Sequence, residues 1–275
     1  EKEIYDGLSK KQRDNSLDYC KSMFGFATDN ESYRSRLSFQ EAVIDKNISE
    51  NGKTAVVLGE PKPTSYLDYL VGKNGEAVTY RGDFALRGMK QYWLHTKEAA
   101  SGLGNNKDVG SDFYPYPKET SFTGQIRFSN LSEEELGMLL WSLLLEKNSQ
   151  QNIGKGKPYG FGRVEISLKQ LNILDTAAMY DSETLCLEPY REEKERCSEY
   201  VDKAKKDMTR FLGKDVMEHP PVRDFLLMKN GNEIPDDSKT HYMSIEGRDS
   251  DYQVRNREQI PLDTIGVVMG KEKRK

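Results

Sequence analysis

The sequence predicts an α+β fold, because strand-type and helix-type hydrophobic patterns occupy separate segments of the chain. Two segments, 34–44 and 121–129, alternate apolar and polar residues as half-buried strands do. A capped, leucine-rich helix follows the second of these strands, and a long amphipathic helix is predicted nearer the C-terminus. The middle of the chain therefore reads as strand, long insertion, strand, helix, glycine-rich loop and strand.

The first strand has the sequence RSRLSFQEAVI, in which Leu37 and Phe39 share one face and Arg36, Ser38 and Gln40 the other. The second strand, SFTGQIRFS, places its apolar residues at the even positions from 122 to 128. The insertion between them, 46–118, is rich in turn residues, and its stretch 98–112 is expected to be a disordered loop. The closing strand is predicted at 163–174.

The helix after the second strand is predicted at 132–146. Ser132 is a suitable N-cap, and Glu135 completes a capping box three residues later. Leucines then recur at helical spacing and form one apolar face: Leu136, Leu139, Leu140, Leu143 and Leu144.

Two further helices are predicted near the ends of the chain. Residues 1–24 read as a short polar helix that ends at Gly25. Pro189 suits a first helical position and Gly213 a stop, so a helix of about seven turns is expected over 189–212.

Composition limits the possible functions. The chain has 275 residues, 36% of them hydrophobic, and is large enough for a real core. The sequence contains no run of eighteen apolar residues, so no membrane span is predicted. The three cysteines, Cys20, Cys186 and Cys197, lack disulfide or zinc spacing and are expected to be reduced thiols of a cytoplasmic protein.

The net charge of −4 is unusual for a nucleic-acid-binding protein. Local patches, however, decide phosphate binding more than the global charge does. The stretches 81–97 and 153–163 are basic, and the acidic residues concentrate elsewhere.

The glycine-rich segment GKGKPYGFGRV, 154–164, carries four glycines, two lysines and an arginine. Glycine permits a positive φ and a close approach of the backbone, so exposed N–H groups can hold an anion. The segment lacks the pattern of a Walker motif or of a dinucleotide fingerprint. Its other interpretation is a helix-to-strand connection with a glycine stop.

The segment RGDFALRGMKQYWLH, 81–95, interleaves cations with aromatic residues, as sites for single-stranded RNA do. It is expected to be a helix or a strand with a basic face, or a surface element anchored by its aromatic side chains.

On the first strand, Arg34 and Arg36 could contact phosphates or be solvated. Of several aspartates, Asp45, Asp68 and Asp83, no one is favoured as a metal ligand.

Four motifs occur in an order that resembles the later half of a RAMP domain, the superfamily found in type III CRISPR effectors. They are MFG (23–25), SRLSFQEA (35–42), TGQIRFSNLSEEELGMLLWSL (123–143) and GKGKPYGFGRV (154–164). A further segment, ALRGMKQYW (85–93), is similar to a sequence motif of the family, with Met89 where a basic residue is expected. The resemblance covers about 18–174, and 220–262 is similar to the tail of a larger RAMP subfamily.

The resemblance implies an RRM-like, ferredoxin-like domain over 1–174 with the insertion 46–118, followed by a helical C-terminal extension over 175–275. The first strand and helix of that fold would precede residue 1, so the chain is expected to be a C-terminal fragment. The sheet would then expose an apolar face, to be covered by the missing segment or by another polypeptide.

The family comparison also implies a function, which is to hold guide RNA (crRNA) as a backbone-type subunit in antiviral defence. The expected partners are guide RNA, target RNA and other effector subunits, without a membrane, metal or cofactor. A target-cleaving aspartate would lie before residue 1, so no catalytic residue is assigned. The expected RNA-binding residues are Arg34, Arg36, Arg81, Arg87, Lys90, Tyr92, Trp93, Gly154, Lys155, Gly156, Lys157, Gly160, Gly162 and Arg163.

Two alternatives stay open. One is an endoribonuclease of the same superfamily that processes guide precursors, with His95, Tyr92 and Lys90 as its acid–base groups. The other is a protein-interaction module without RNA binding, which the acidic charge and the long C-terminal helix favour.

Overall fold

The computed structural model describes residues 17–59, 64–95, 110–181, 189–245, 247–271 and 273. Helices and strands are mixed, so the chain is an α+β protein. It divides into two compact units, each built from three separate stretches. Unit 1 comprises 1–48, 119–146 and 166–223, and unit 2 comprises 49–118, 147–165 and 224–275.

Unit 1 contains twelve described α-helices and strands, numbered in chain order. They are α1 (Tyr19–Phe24), β1 (Phe26–Ala27), β2 (Ser32–Tyr33), β3 (Leu37–Phe39), β4 (Val43–Ile44), β9 (Phe122–Thr123), β10 (Ile126–Phe128), α2 (Glu133–Leu144), β13 (Asn172–Leu174), α3 (Thr176–Met179), and then β14 (Tyr190–Glu192) and α4 (Cys197–Leu212).

Unit 2 contains the remaining strands and the C-terminal helices. They are β5 (Thr54–Val57), β6 (Leu70–Val71), β7 (Ala85–Leu86), β8 (Gly110–Phe113), β11 (Gln151–Asn152), β12 (Arg163–Val164), α5 (Pro220–Lys229), which begins in unit 1, α6 (Asp237–Thr240), α7 (Asp251–Glu258) and α8 (Ile265–Val268). Its most buried side chains are Val56, Leu67, Leu70 and Leu94.

The two predicted strands of unit 1 pair with each other as antiparallel ladders. Leu37 lies opposite Phe128 and Phe39 opposite Ile126, while Ile44 lies opposite Phe122. The strands are shorter than predicted, since the ladder breaks between β3 and β4. The expected burial of Leu37 is confirmed, because it packs with Met23 and Leu139.

Helix α2 confirms the predicted capping box. The Ser132 hydroxyl accepts from the Glu135 backbone N–H, and the Glu135 carboxylate accepts from the Ser132 N–H. The leucine face packs against α4, where Leu136, Leu140 and Tyr200 form one core cluster. The predicted helix stops at Gly25 and Gly213 are also confirmed, with φ of 75° and 67°.

The predicted start of the long helix at Pro189 is wrong. Helix α4 begins at Cys197, and the segment before it forms β14, which pairs with β13. The Asp175 N–H donates to the Pro189 carbonyl and the Glu193 N–H to the Leu171 carbonyl. Because these groups belong to the strand pair, the helix has sixteen residues and is about 24 Å long.

The predicted closing strand at 163–174 is also wrong as a single strand. Its first residues form β12, which pairs with β11 in unit 2, and its last residues form β13, which pairs with β14 in unit 1. Between them, the Lys169 side chain contacts Thr123 of β9 and lies 3.7 Å from Asp45, but no ladder to β9 is present among the described strands. The described strands therefore pair only as two-stranded ladders.

Two of the predicted segments include residues that the structure does not describe. Residues 1–16 of the predicted N-terminal helix and residues 98–109 of the predicted disordered loop lie outside the described residues. Among the helices that are described, none has the length and apolarity needed to cross a bilayer.

Candidate nucleic-acid interface

The glycine-rich segment is the loop of a hairpin rather than a helix-to-strand connection. It joins β11 to β12 in unit 2, and the Ile153 N–H donates to the Gly162 carbonyl at 2.7 Å. All four glycines of this loop have positive φ: Gly154 at 84°, Gly156 at 71°, Gly160 at 83° and Gly162 at 67°. Since residues with a Cβ rarely adopt these angles, the loop requires its glycines.

The three cations of the loop bind backbone carbonyl groups. Lys155 Nζ lies 3.4 Å from the Asp112 carbonyl oxygen, Lys157 Nζ donates to the Gly154 carbonyl at 3.0 Å, and Arg163 Nη1 donates to the His95 carbonyl at 3.4 Å. Within the described part of the chain, none of these side chains forms a salt bridge with a carboxylate. Among the described residues, the loop therefore presents positive charge that no carboxylate neutralises.

A further cation lies at the base of this hairpin and was not identified from the sequence. Lys229, the last residue of α5, is only 5% exposed, and its Nζ donates to Asn152 Oδ1 at 2.5 Å. Its ammonium also lies over the Phe225 ring, 5.6 Å from the centroid. Burial, and then the charge of Lys157, lower the pKa of Lys229. A lysine at the end of an apolar helix gives no sequence signal for this position.

The segment 81–93 is mostly irregular and contains only the short strand β7. Arg81 is exposed, and Phe84 forms an edge-to-face pair with Tyr80 at 5.9 Å, with both rings at least 41% exposed. Tyr92 is 39% exposed and Trp93 is half-buried. The segment therefore carries exposed aromatic side chains and an exposed cation, but it is not the helix or extended strand with a basic face that the sequence predicted.

Arg87 and Lys90 instead belong to an ionic group that we call the Asp68 cluster, comprising Asp68, Arg87, Lys90 and Arg255. Asp68 lies 3.2 Å from Arg255 and 3.7 Å from Lys90, and its own side chain is only 9% exposed. Arg87 Nη2 donates to the Leu262 carbonyl. The sequence did not indicate Arg255, because it lies far along the chain from the rest of the cluster.

Arg34 and Arg36 belong to unit 1, whereas the other candidate residues belong to unit 2. The guanidinium of Arg36 pairs with the Glu135 carboxylate and donates to the Ser22 carbonyl at 2.9 Å. Hydrogen bonding to Glu135 raises the pKa of Arg36. Arg36 is thus a structural residue that ties the strand to α2, and it does not share an exposed face with Ser38, whereas Arg34 is exposed.

The proposed acid–base group of the endoribonuclease alternative lacks an accessible histidine. His95 is only 5% exposed, and its carbonyl accepts from Arg163. Lys90, the second member, lies against Asp68 and the Tyr69 ring. Burial of this kind is typical of a structural histidine.

The aspartates considered as metal ligands each face a cation. Asp45 lies beside Lys169, Asp68 beside Arg255, and Asp83 lies 2.5 Å from Lys73. Across the described ranges, no group of three acidic, histidine or cysteine side chains could hold a metal ion.

An apolar surface is exposed in unit 1. Phe24 and Phe39, about half exposed, stack with their centroids 6.0 Å apart and their planes 5° apart. Val43 and Phe122 on the neighbouring ladder are 61% and 46% exposed. Exposed apolar side chains therefore occur on both of these ladders of unit 1.

No protein-family model matches the chain, and no curated protein matches it. The order of motifs therefore stays a resemblance. The charges and backbone angles of unit 2 are the strongest indications of function.

Proposed function

We propose that the chain binds single-stranded RNA through unit 2. The observation that carries this proposal is the glycine-rich segment 154–164, in which four left-handed glycines occur together with three cations that have no carboxylate partner among the described residues. Backbone N–H groups and lysines are the usual ligands of phosphates. Such contacts are independent of sequence, which suits a protein that holds many different guides.

The exposed rings of unit 2 support single-stranded rather than double-stranded RNA. Tyr80, Phe84 and Tyr92 offer aromatic faces near Arg81 in the sequence. Unpaired bases stack on such faces with about 1–3 kcal/mol each, whereas the bases of a duplex are already stacked.

We further propose that the chain is a guide-RNA-holding subunit of the RAMP type in a type III CRISPR effector. The order of the four motifs supports this assignment, as do the antiparallel pairing of β3–β4 with β9–β10 and the capped helix α2 that follows. The closing strand departs from the ferredoxin-like pattern, because β12 pairs with β11 and β13 with β14, and neither pairs with β9 or β10.

A charge-removal variant tests the RNA-binding proposal. Lys155→Ala, Lys157→Ala and Arg163→Ala together remove three phosphate ligands, each contributing about 0.7 to the salt slope for a single strand. We expect the affinity for a single-stranded RNA to fall about a hundredfold at 0.1 M salt, and the slope of log K against log salt to flatten by about 2. Gel-shift titrations at several salt concentrations measure both.

The matched control removes three exposed lysines of unit 1, Lys194, Lys206 and Lys214, with the same change in net charge. It should bind RNA like the wild-type protein. Equal loss in both variants would show that only net charge matters, and an absence of wild-type binding at about 0.1 M salt would favour the interaction-module alternative.

The proposal that the chain is a guide-RNA-holding subunit is tested by identifying the RNA that the protein retains in cells. When the chain is produced together with a repeat–spacer array and the other effector subunits, we expect the recovered RNA to be enriched in repeat-derived guides. Recovery of bulk cellular RNA in proportion to its abundance would contradict a role as a guide-RNA subunit.

A further inference from the structure

The Asp68 cluster contains more positive than negative charge. Lys90 and Arg255 lie against the buried carboxylate of Asp68. Arg87 experiences the charges of Arg255 and of a second carboxylate, Asp263. Among the described residues, these three cations and two carboxylates leave a surplus of one positive charge. Such a surplus is unfavourable away from water unless an anion balances it.

Arg255 has one unsatisfied donor in this cluster. Its Nη1 lies 3.2 Å from Asp68 Oδ1, and its Nε donates to the Ile260 carbonyl at 3.3 Å. Its Nη2 is buried and has no hydrogen-bond partner among the described residues. Because a buried donor without an acceptor is costly, this atom is the place where an external acceptor would stabilise the protein most.

The second guanidinium faces the same region. Burial lowers the pKa of Arg87, and the positive charge of Arg255 lowers it further. Two arginines that repel each other in a partly buried position are the arrangement in which a doubly charged oxyanion binds best, since each guanidinium presents a planar fork of donors.

We propose that Arg87 and Arg255 form an oxyanion site that takes a phosphate group, with Lys90, which is 39% exposed, at its accessible edge. The phosphate has two possible sources, a backbone phosphate of bound RNA or free inorganic phosphate. The first source rests on the proposed RNA-binding function. Because Arg87 lies in the segment that carries Phe84 and Tyr92, a phosphate here would belong to the same strand whose bases stack on those rings.

The test compares Arg255→Lys with Arg257→Lys in the full chain. Arg255→Lys keeps the charge beside Asp68 but removes the donor fork, whereas Arg257 lies on the same helix, is 52% exposed and pairs only loosely with Asp249 and Glu258. We expect RNA affinity to fall about tenfold in the first variant, as losing a charge-assisted hydrogen bond implies, and to stay unchanged in the control.

A second measurement follows the melting temperature in inorganic phosphate against chloride at equal ionic strength. Phosphate should raise the melting temperature of the wild-type protein and of Arg257→Lys, but not that of Arg255→Lys. If Arg255→Lys does not fold, Arg87→Lys gives the same comparison, since Arg87 makes no salt bridge within the described residues.

The outcomes separate the two proposals. If RNA does not bind but phosphate protects the wild-type protein and not the variant, the oxyanion site stands with free phosphate as its ligand and the RNA function fails. If RNA binds Arg255→Lys and Arg257→Lys equally, and phosphate raises the melting temperature of the wild-type protein no more than chloride does, the oxyanion site is overturned while the RNA function stands.

Discussion

Lys229 shows how a single buried cation links the stability of unit 2 to pH. Burial disfavours its charged form, so the unfolded chain binds more protons than the folded one between the lowered pKa and the ordinary lysine pKa of about 10.4. The stability of the wild-type protein therefore rises with pH through that window. At pH 7 the buried charge of Lys229, at the base of the glycine loop, lowers the free energy of unfolding.

Lys229→Met removes this cost while keeping the length of the side chain. We expect the variant to be more stable than the wild-type protein by about 1 kcal/mol at pH 7, because a buried charge without a carboxylate partner is replaced by an apolar group. The difference should shrink as the pH approaches 10. Urea unfolding at pH 7 to 10 measures it, and a difference that is constant with pH would show that Lys229 does not titrate abnormally.

At the scale of elements, the contact between α2 and α4 depends on a glycine. A Cβ at Gly137 would overlap the carbonyl oxygen of Tyr200 and lie 3.0 Å from the Cβ of Ala204, which is fully buried. The backbones of the two helices approach closely only because no side chain separates them. The long apolar stripe of α4 can therefore cover the leucine face of α2.

Gly137→Ala should push the two helices apart. We expect a loss of about 2 kcal/mol in the free energy of unfolding, although alanine favours a helix more than glycine does, because overpacking a core contact outweighs the propensity gain. Gly52→Ala is the control, since nothing lies within 4 Å of a Cβ there and its φ is ordinary. Urea unfolding followed by circular dichroism compares the two, and equal stabilities would show that the helices can separate without cost.

Local signals predicted the helix caps, but they predicted neither the start of α4 nor the pairing of the strands. The capping box of Ser132 and Glu135 and the helix stop at Gly213 act within a few residues, so the sequence contained all that was needed. The partners of Arg36 and Arg255, by contrast, lie 99 and 187 residues away. Whether a cation is solvated, structural or available to a ligand depends on such distant partners.

Dependence on distant partners also explains why the prediction of one strand at 163–174 was wrong. Its alternation predicts a strand, but the pattern cannot say that β12 pairs with β11 in one unit and β13 with β14 in the other. In the candidate site, the positive φ of the loop glycines followed from residue type alone. Lys229 and Arg255 could not be found in this way, because only the tertiary fold brings them to the loop and to Asp68.

At the scale of the whole molecule, the two units interleave along the chain. The sequence predicted one domain over 1–174 and a C-terminal extension over 175–275, whereas each unit draws on residues from both sides of that boundary. Unit 1 needs Tyr200 of α4 for its main core cluster. Unit 2 needs α5, because the carbonyl of Met228 in that helix accepts from the Leu94 N–H.

A polypeptide of residues 1–174 should therefore fail to fold as a domain of its own. Without α4, the leucine face of α2 is exposed to water, and without α5 and α7 the glycine hairpin loses Lys229 and Asp68 loses Arg255. We expect a broad thermal transition and binding of a hydrophobic dye, as loosely packed states show. A polypeptide of residues 1–271 is the control and should melt like the full chain. A sharp transition in the shorter polypeptide would show that residues 1–174 fold without the rest of the chain.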